Sequence, residues 1–275
     1  QAIRSMQAKR PGVIANRLVD LLKTNQPEIQ IAVIDKIASS EPEWLGPRLD
    51  EKWELLSLRA TQHFLHTLGK AASPVGDRIL RQSFDALLNG KLTRELELDI
   101  ITAAKARMTP PLVKLLEKHK ATQTPDDTLA PYRPSLVGGD AAMGRLVYEQ
   151  HVAGQCVRCH DAGGEKNQVG PVLKGIGKRF NREYLLRSLV EPSANIAEGF
   201  DVTIAETSDG QTFVGRTQKQ TVKTISLVLV DGKLMELKAT SIKNLTNTKA
   251  SAMPPMGAIL SPHETRDLVA YLSTL

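Results

Sequence analysis

Cys156 and Cys159 are the only cysteines in the 275-residue chain, and they stand three positions apart in Cys156-Val157-Arg158-Cys159-His160. Paired thiols followed directly by an imidazole have the spacing of covalent haem attachment. Two sulfurs separated by two residues reach the two vinyl groups on one porphyrin edge. The adjacent histidine turns back to give a ring nitrogen to the iron. Three other chemistries use paired cysteines. A redox dithiol of the thioredoxin type wants a βαβ setting, whereas the flanks here read as helix and Gly-rich loop. A structural zinc wants four ligands, usually as two pairs, and no second cysteine pair exists. A disulfide across so short a loop constrains the unfolded chain little. Haem accounts for both cysteines and leaves none over.

A ligand histidine also needs its second ring nitrogen fixed. Residues 169–177, "VGPVLKGIG", follow the motif, and the carbonyl of Pro171 is the expected partner. The candidates for the other axial position are Met253, Met256, His151 and His263. A thioether is a soft ligand that raises the potential. Met253-Pro254 lies in an irregular, Pro-rich stretch that can wrap over the distal face. His151 is too close in sequence to cross the ring easily, and His263 is expected in solvent. Arg179 or Tyr184 is a candidate for bonding a haem propionate. Arg158, Lys174, Lys178 and Arg179 would steer an acidic partner. His63, His66 and His119 read as ordinary residues of a separate region.

The elements that must position these residues are mostly helical. Residues 1–120 read as a helical domain. "PGVIANRLVDLLK", with Pro11 in its first turn, "PEIQIAVIDKIAS", "DEKWELLSLRATQHFLHTLGK", "PVGDRILRQSFDALLNG", "LTRELELDIITAAKARM" and "PPLVKLLEKHK" each carry apolar residues at helical spacing. Short connections and Pro openings suggest paired antiparallel helices, HEAT-like or a plain bundle, although no clean repeat period is visible. Residues 121–140 are rich in Pro, Gly, Thr and Asp and read as a linker. Residues 141–275 form the second domain. "AAMGRLVYEQHVA" and "NREYLLRSLV" are helices, the latter capped by Asn181. A β-rich insertion follows at about 200–245, with "SDGQ" and "DGK" as hairpin turns. The chain ends in a helix opened by a capping box, Ser261 with Glu264.

The composition is that of a globular protein, and no apolar run approaches the ~20 residues of a membrane span. The net charge of +6 does not by itself mean nucleic acid, because Lys/Arg runs stop at two and aromatics are 4%. The chain opens on "QAIRSMQAKR" without an initiator Met, which reads as a mature or excised piece of something longer.

Residues 138–275 resemble the haem-binding c-type cytochrome domain typical of planctomycetes and verrucomicrobia. The resemblance rests on "GGDAAMGRLVYEQ", "CVRCH", "VGPVLKGIGKRFNREYLLRSLVEPSANIAEGF", "DGQTFVGR" and "SAMPPMGAILSPHETRDLVAYL". It implies a mainly α fold: a class I cytochrome c core with a β-stranded insertion, preceded by a HEAT-like helical region. It implies one covalent haem c with thioethers at Cys156 and Cys159, His160 as proximal ligand and Met253 as distal ligand. The family shows one Met before Pro, so Met256 stands as the alternative. Gly144, Tyr148 and Tyr271 match two helices that cross closely in cytochromes c. The implied role is electron transfer in the periplasm or an equivalent space, as the outlet of a redox partner or a fused dehydrogenase domain rather than an enzyme by itself. The alternative is a haem-based sensor or small-ligand binder with a labile sixth ligand. A peroxidase-like site would need a distal acid–base pair, for which only His263 and Glu264 are near.

Overall fold

The structure is a computed structural model that describes residues 12–50, 52–71, 73–163 and 169–275. It divides into two compact units, Gln1–Ala130 and Pro131–Leu275. Among the described residues eleven α-helices come first, then a five-stranded antiparallel sheet and a C-terminal helix, so the fold is mixed rather than mainly α.

Among the described residues the first unit holds α1 (Val13–Leu18), α2 (Pro27–Ser40), α3 (Pro42–Leu49), α4 (Leu58–Lys70), α5 (Pro74–Leu88), α6 (Glu97–Arg107) and α7 (Pro110–Ala121). Pro11 lies outside the described residues. Proline opens four of these helices, where its missing N–H costs nothing. The apolar stripes of α2, α4, α5 and α6 meet in one core around Ile34, Phe64, Leu80, Phe84 and Ile100. α1 lacks a local cap. Buried Glu41 supplies one from a distance, accepting from the amides of Ile14 at 3.4 Å and Ala15 at 3.0 Å.

The single helix expected over residues 50–70 is broken. A 3₁₀ turn, Trp53–Leu55, ends at Leu56, and Ser57 restarts the chain as the N-cap of α4. Buried Gln30 holds the break open: its amide nitrogen lies 3.0 Å from the Leu55 carbonyl, and its oxygen accepts from the Ser57 amide at 2.9 Å.

His119 of α7 and Glu97 of α6 pair at 3.0 Å, each side chain about one-eighth exposed at 12%. Burial pushes the Glu97 carboxyl up, but the hydrogen bond from His119 and the charges of Arg94 and His119 outweigh it and hold the carboxyl below its ordinary range. A depressed folded value stabilises above the unfolded pKa, and that contribution is lost as pH falls through the folded value. Denaturant titrations of Glu97→Gln should therefore show a shallower acid limb, with about 1 kcal/mol lost at neutral pH. Superimposable acid limbs would refute this.

The second unit begins earlier than the expected boundary at residue 141. Ser135 donates to the Pro262 carbonyl at 3.0 Å, and a Cβ at Gly139 would sit 2.4 Å from the Arg266 carbonyl oxygen. The latter half of the 121–140 segment is thus built into this unit. Its helices are α8 (Ala141–Gln150), the single turn α9 (Cys156–Cys159), α10 (Ile176–Arg179), α11 (Arg182–Val190) and α12 (Pro262–Leu272). The Asn181 side chain accepts from the Tyr184 amide, and both halves of the Ser261/Glu264 capping box form.

Between α11 and α12 lie β1 (Asp201–Thr207), β2 (Thr212–Gln220), β3 (Thr224–Leu229), β4 (Leu234–Lys238) and β5 (Ile242–Ser251), in the spatial order β4-β3-β2-β1-β5. The expected insertion of about 200–245 stops short, because β5 returns along β1 as far as Ser251. One face carries a small apolar cluster of Ala205, Ile225, Leu227 and Leu237. Gly210 and Gly232 turn the hairpins at positive φ, +85° and +84°.

Candidate haem site

The Cys-x-x-Cys-His segment begins one loop after α8. Gln155 adopts left-handed backbone at φ 44°, an uncommon conformation for a side chain larger than glycine's, and it swings the chain into α9. His160 leaves that turn in extended backbone, with its amide donating to the Cys156 carbonyl at 2.9 Å. One turn of helix therefore carries both thiols, and the imidazole departs at its end. The cysteines are half-buried and not bonded to each other. Burial pushes both thiols up, so they stand protonated at neutral pH.

His160 is held from three sides. His160 Nδ1 donates to the Pro171 carbonyl at 2.9 Å, which makes Nε2 the bare ring nitrogen. Gly170 presses against the ring: a Cβ there would lie 2.9 Å from Cε1 and 3.0 Å from Nδ1 of His160, and 2.8 Å from the Cys159 carbonyl oxygen. The Gly170 amide donates to that carbonyl at 2.8 Å. Tyr148 of α8 donates its hydroxyl to the His160 carbonyl at 2.9 Å. Burial, with Tyr271 adding to it, pushes the Tyr148 phenol up to about 12. Burial also lowers the His160 imidazole pKa, against the pull of the Pro171 bond, so the neutral ligand form is favoured.

Behind the site α8 crosses α12. Gly144 lies so close to it that a Cβ would stand 1.8 Å from the Asp267 carbonyl oxygen and 2.8 Å from the Tyr271 Cβ. The Tyr148 and Tyr271 rings sit beside the crossing, 5.6 Å apart. The Asp140 side chain caps α8 while its own amide donates to Asp267 at 2.9 Å.

No family model matches the chain, and no curated protein matches it significantly.

Met253 and Met256 both come to the apolar cluster that Cys156 touches, around Tyr148, Leu186, Leu260 and Val269. Met256 is enclosed, 4% exposed, and starts a 3₁₀ turn; Met253 is half-buried at the cluster's margin. Tyr132 covers the next residue, since a Cβ at Gly257 would lie 2.7 Å from its hydroxyl oxygen. His151 does not reach this group: Nδ1 accepts from the Gly154 amide at 2.8 Å, and Nε2 faces Glu264 at 3.5 Å. Glu264 is also occupied, its other oxygen accepting from the Ser261 amide at 2.8 Å. His263 is half-buried rather than solvated. Arg179 is exposed, bonds back to the Gly175 carbonyl at 3.4 Å and lies over Phe180, whose ring stacks on Tyr184 at 3.9 Å. Arg158, Lys174 and Lys178 are likewise at the surface.

The residues present fit a c-type haem. Two protonated thiols share a turn, a neutral imidazole offers Nε2, and thioether sulfurs border the same apolar cluster. Among the described residues no group of three or more His, Cys, Asp or Glu side chains converges. The packing of Gly170 against the ring and the Tyr148 hydroxyl bond escaped the sequence reading. A Gly before the ligand-fixing Pro was the only visible sign of the first, and nothing local announced the second.

Proposed function

We propose that the second unit binds one haem c covalently and serves as an electron-transfer domain. Cys156 and Cys159 hold the porphyrin edge, His160 gives Nε2 as proximal ligand, and Met253 gives the distal sulfur, with Met256 as the alternative. When bound, the haem supplies a one-electron couple. The observation that carries this reading is the Pro171 carbonyl on His160 Nδ1, because that bond selects the tautomer a metal needs and raises the basicity of Nε2. The chain's own work is to hold both axial groups, exclude water with the cluster around Leu186 and Val269, and leave charged residues such as Arg158, Lys174 and Lys178 at the surface for a partner.

On this reading the helical core of residues 131–200 and 252–275 is a class I cytochrome c core of the planctomycete and verrucomicrobial type, the sheet is its insertion, and the first unit is a HEAT-like appendage. The partner is a redox protein or a fused dehydrogenase domain, and the compartment is periplasmic. No helix among the described residues is long and apolar enough to cross a membrane.

Absorption spectra of the oxidised and reduced protein, with carbon monoxide then added, test the proposal. We expect a low-spin c-type spectrum in the folded protein that carbon monoxide leaves unchanged, and haem that stays with the chain on denaturation. Colour that separates from the denatured chain would overturn covalent attachment. Rapid carbon monoxide binding would replace electron transfer by ligand sensing.

A further inference from the structure

The β3–β4 hairpin tip of the insertion lies beside the loop that bonds to His160. The β3–β4 connection is a tight turn in which the Gly232 amide donates to the Leu229 carbonyl and the Leu229 amide donates to the Lys233 carbonyl, both at 2.9 Å. Asp231 locks it by accepting from the Lys233 amide at 3.0 Å. Gly232 sits at φ +84°, the left-handed position such turns give to glycine. The tip so formed lies beside Val169: a Cβ, if Gly232 carried one, would stand 3.5 Å from the Val169 Cγ2. Val169 immediately precedes Gly170 and Pro171, the two residues that press on and bond to the imidazole.

The sheet that carries this tip is itself anchored. At its far end the Ser251 amide of β5 donates to the Ser193 hydroxyl at 3.1 Å, just beyond α11. On its second face the Arg216 guanidinium lies 4.8 Å over the Phe200 ring. The tip therefore stands beside Val169 as part of a braced element. The same loop is held by the Gly170 amide on the Cys159 carbonyl and the Leu173 amide on the Asp161 carbonyl at 3.0 Å.

We propose that the β3–β4 hairpin is a proximal-side brace, with Val169 as the positioning residue through which it sets the strength of the Pro171–His160 hydrogen bond. The inference rests on the haem reading above and gives the insertion a role in it. A firmer bond makes the imidazole more basic and favours the oxidised metal; a looser one makes it less basic and raises the midpoint potential. Val169 stands two residues before Pro171 and acts through the loop's position.

The test is potentiometric titration of the full-length holoprotein as wild type, Val169→Ala and Val169→Ile, with hydrogen exchange followed at the Gly170 amide. Val169→Ala is expected to raise the midpoint potential and speed Gly170 exchange several-fold, while Val169→Ile restores both. A wild-type protein without covalent haem would take down the functional reading and the brace with it. A haem-loaded Val169→Ala protein with unchanged potential and unchanged Gly170 exchange would overturn the brace alone. Should Val169→Ala fail to accumulate, Val169→Thr, which keeps the shape of the side chain, must still load haem and titrate at the wild-type potential.

Discussion

Gly144→Ala is expected to melt the second unit roughly 10–15 °C below the wild type, a loss of about 3–5 kcal/mol. The reason is distance. A Cβ at this position would stand 1.8 Å from the Asp267 carbonyl oxygen and 2.4 Å from its carbonyl carbon, both backbone atoms of α12. Backbone inside a helix cannot turn aside as a flexible side chain can, so the two helices must separate. Separation also opens the Tyr148–Tyr271 contact and draws Tyr148 from the His160 carbonyl. The loss should therefore appear twice in the holoprotein, as a lower melting temperature by circular dichroism and as a disturbed haem spectrum. Met143→Ala on the exposed side of the same helix is the control, with an expected change within about 0.5 kcal/mol. A Gly144→Ala protein melting within two or three degrees of wild type, on the order of 1 kcal/mol, would refute the close crossing.

This crossing was legible before any coordinates, because Gly144, Tyr148 and Tyr271 stand at the positions where the resembled family brings two helices together. Other features were legible from local chemistry alone. The Ser261/Glu264 box, the Asn181 cap and the Gly-containing hairpin turns each satisfy a backbone need within four residues, so a short window of sequence contains their cause.

What escaped the sequence depends on distant partners. Nothing near Ser57 says that a helix must stop there; Gln30, twenty-seven residues away, makes the break stable. α3 contains Gly46 and Pro47, both helix breakers, yet Leu45 and Leu49 are fully buried in the helical core and that burial prevails. β5 reads poorly as a strand because Lys243, Asn244, Asn247 and Lys249 are exposed along it, and register shifts against β1 interrupt its alternation. It is an edge strand, where charged and polar residues discourage further pairing. The site divides the same way. Cys156, Cys159, His160 and Pro171 lie within sixteen residues, and the expected bond of His160 to the Pro171 carbonyl forms. The Tyr148 hydroxyl and the placing of Gly232 beside Val169 come from elements whose sequences carry no sign of the haem loop.

The two methionines provide the second large effect, and burial separates their roles. A ligating sulfur must keep one flank clear of protein atoms. Met256 has none to give: it is 4% exposed within the core cluster, and its carbonyl already accepts from the Ile259 and Leu260 amides at 2.9 and 2.8 Å. Met253 is tethered by its amide to the Ser251 hydroxyl at 3.1 Å and keeps its side chain at the cluster's edge. Met256→Ala should therefore cost about 2–5 kcal/mol of stability through the cavity it leaves, while the low-spin spectrum persists in the protein that remains folded. Met253→Ala should cost about 1 kcal/mol or less, because a half-buried side chain gives up less apolar area. It should also convert the spectrum to high-spin and admit carbon monoxide to the reduced protein. The reverse pattern, with Met256→Ala opening the sixth position and Met253→Ala leaving it closed, would move the distal ligand to Met256. The 3₁₀ turn at Met256–Ala258 would then have to unwind on loading to free the sulfur, and the Ile259 and Leu260 amides would lose their acceptor. Hydrogen exchange at those two amides, compared before and after haem loading, separates the cases: protection that survives loading keeps Met256 in the core and leaves the sulfur of Met253 to the metal.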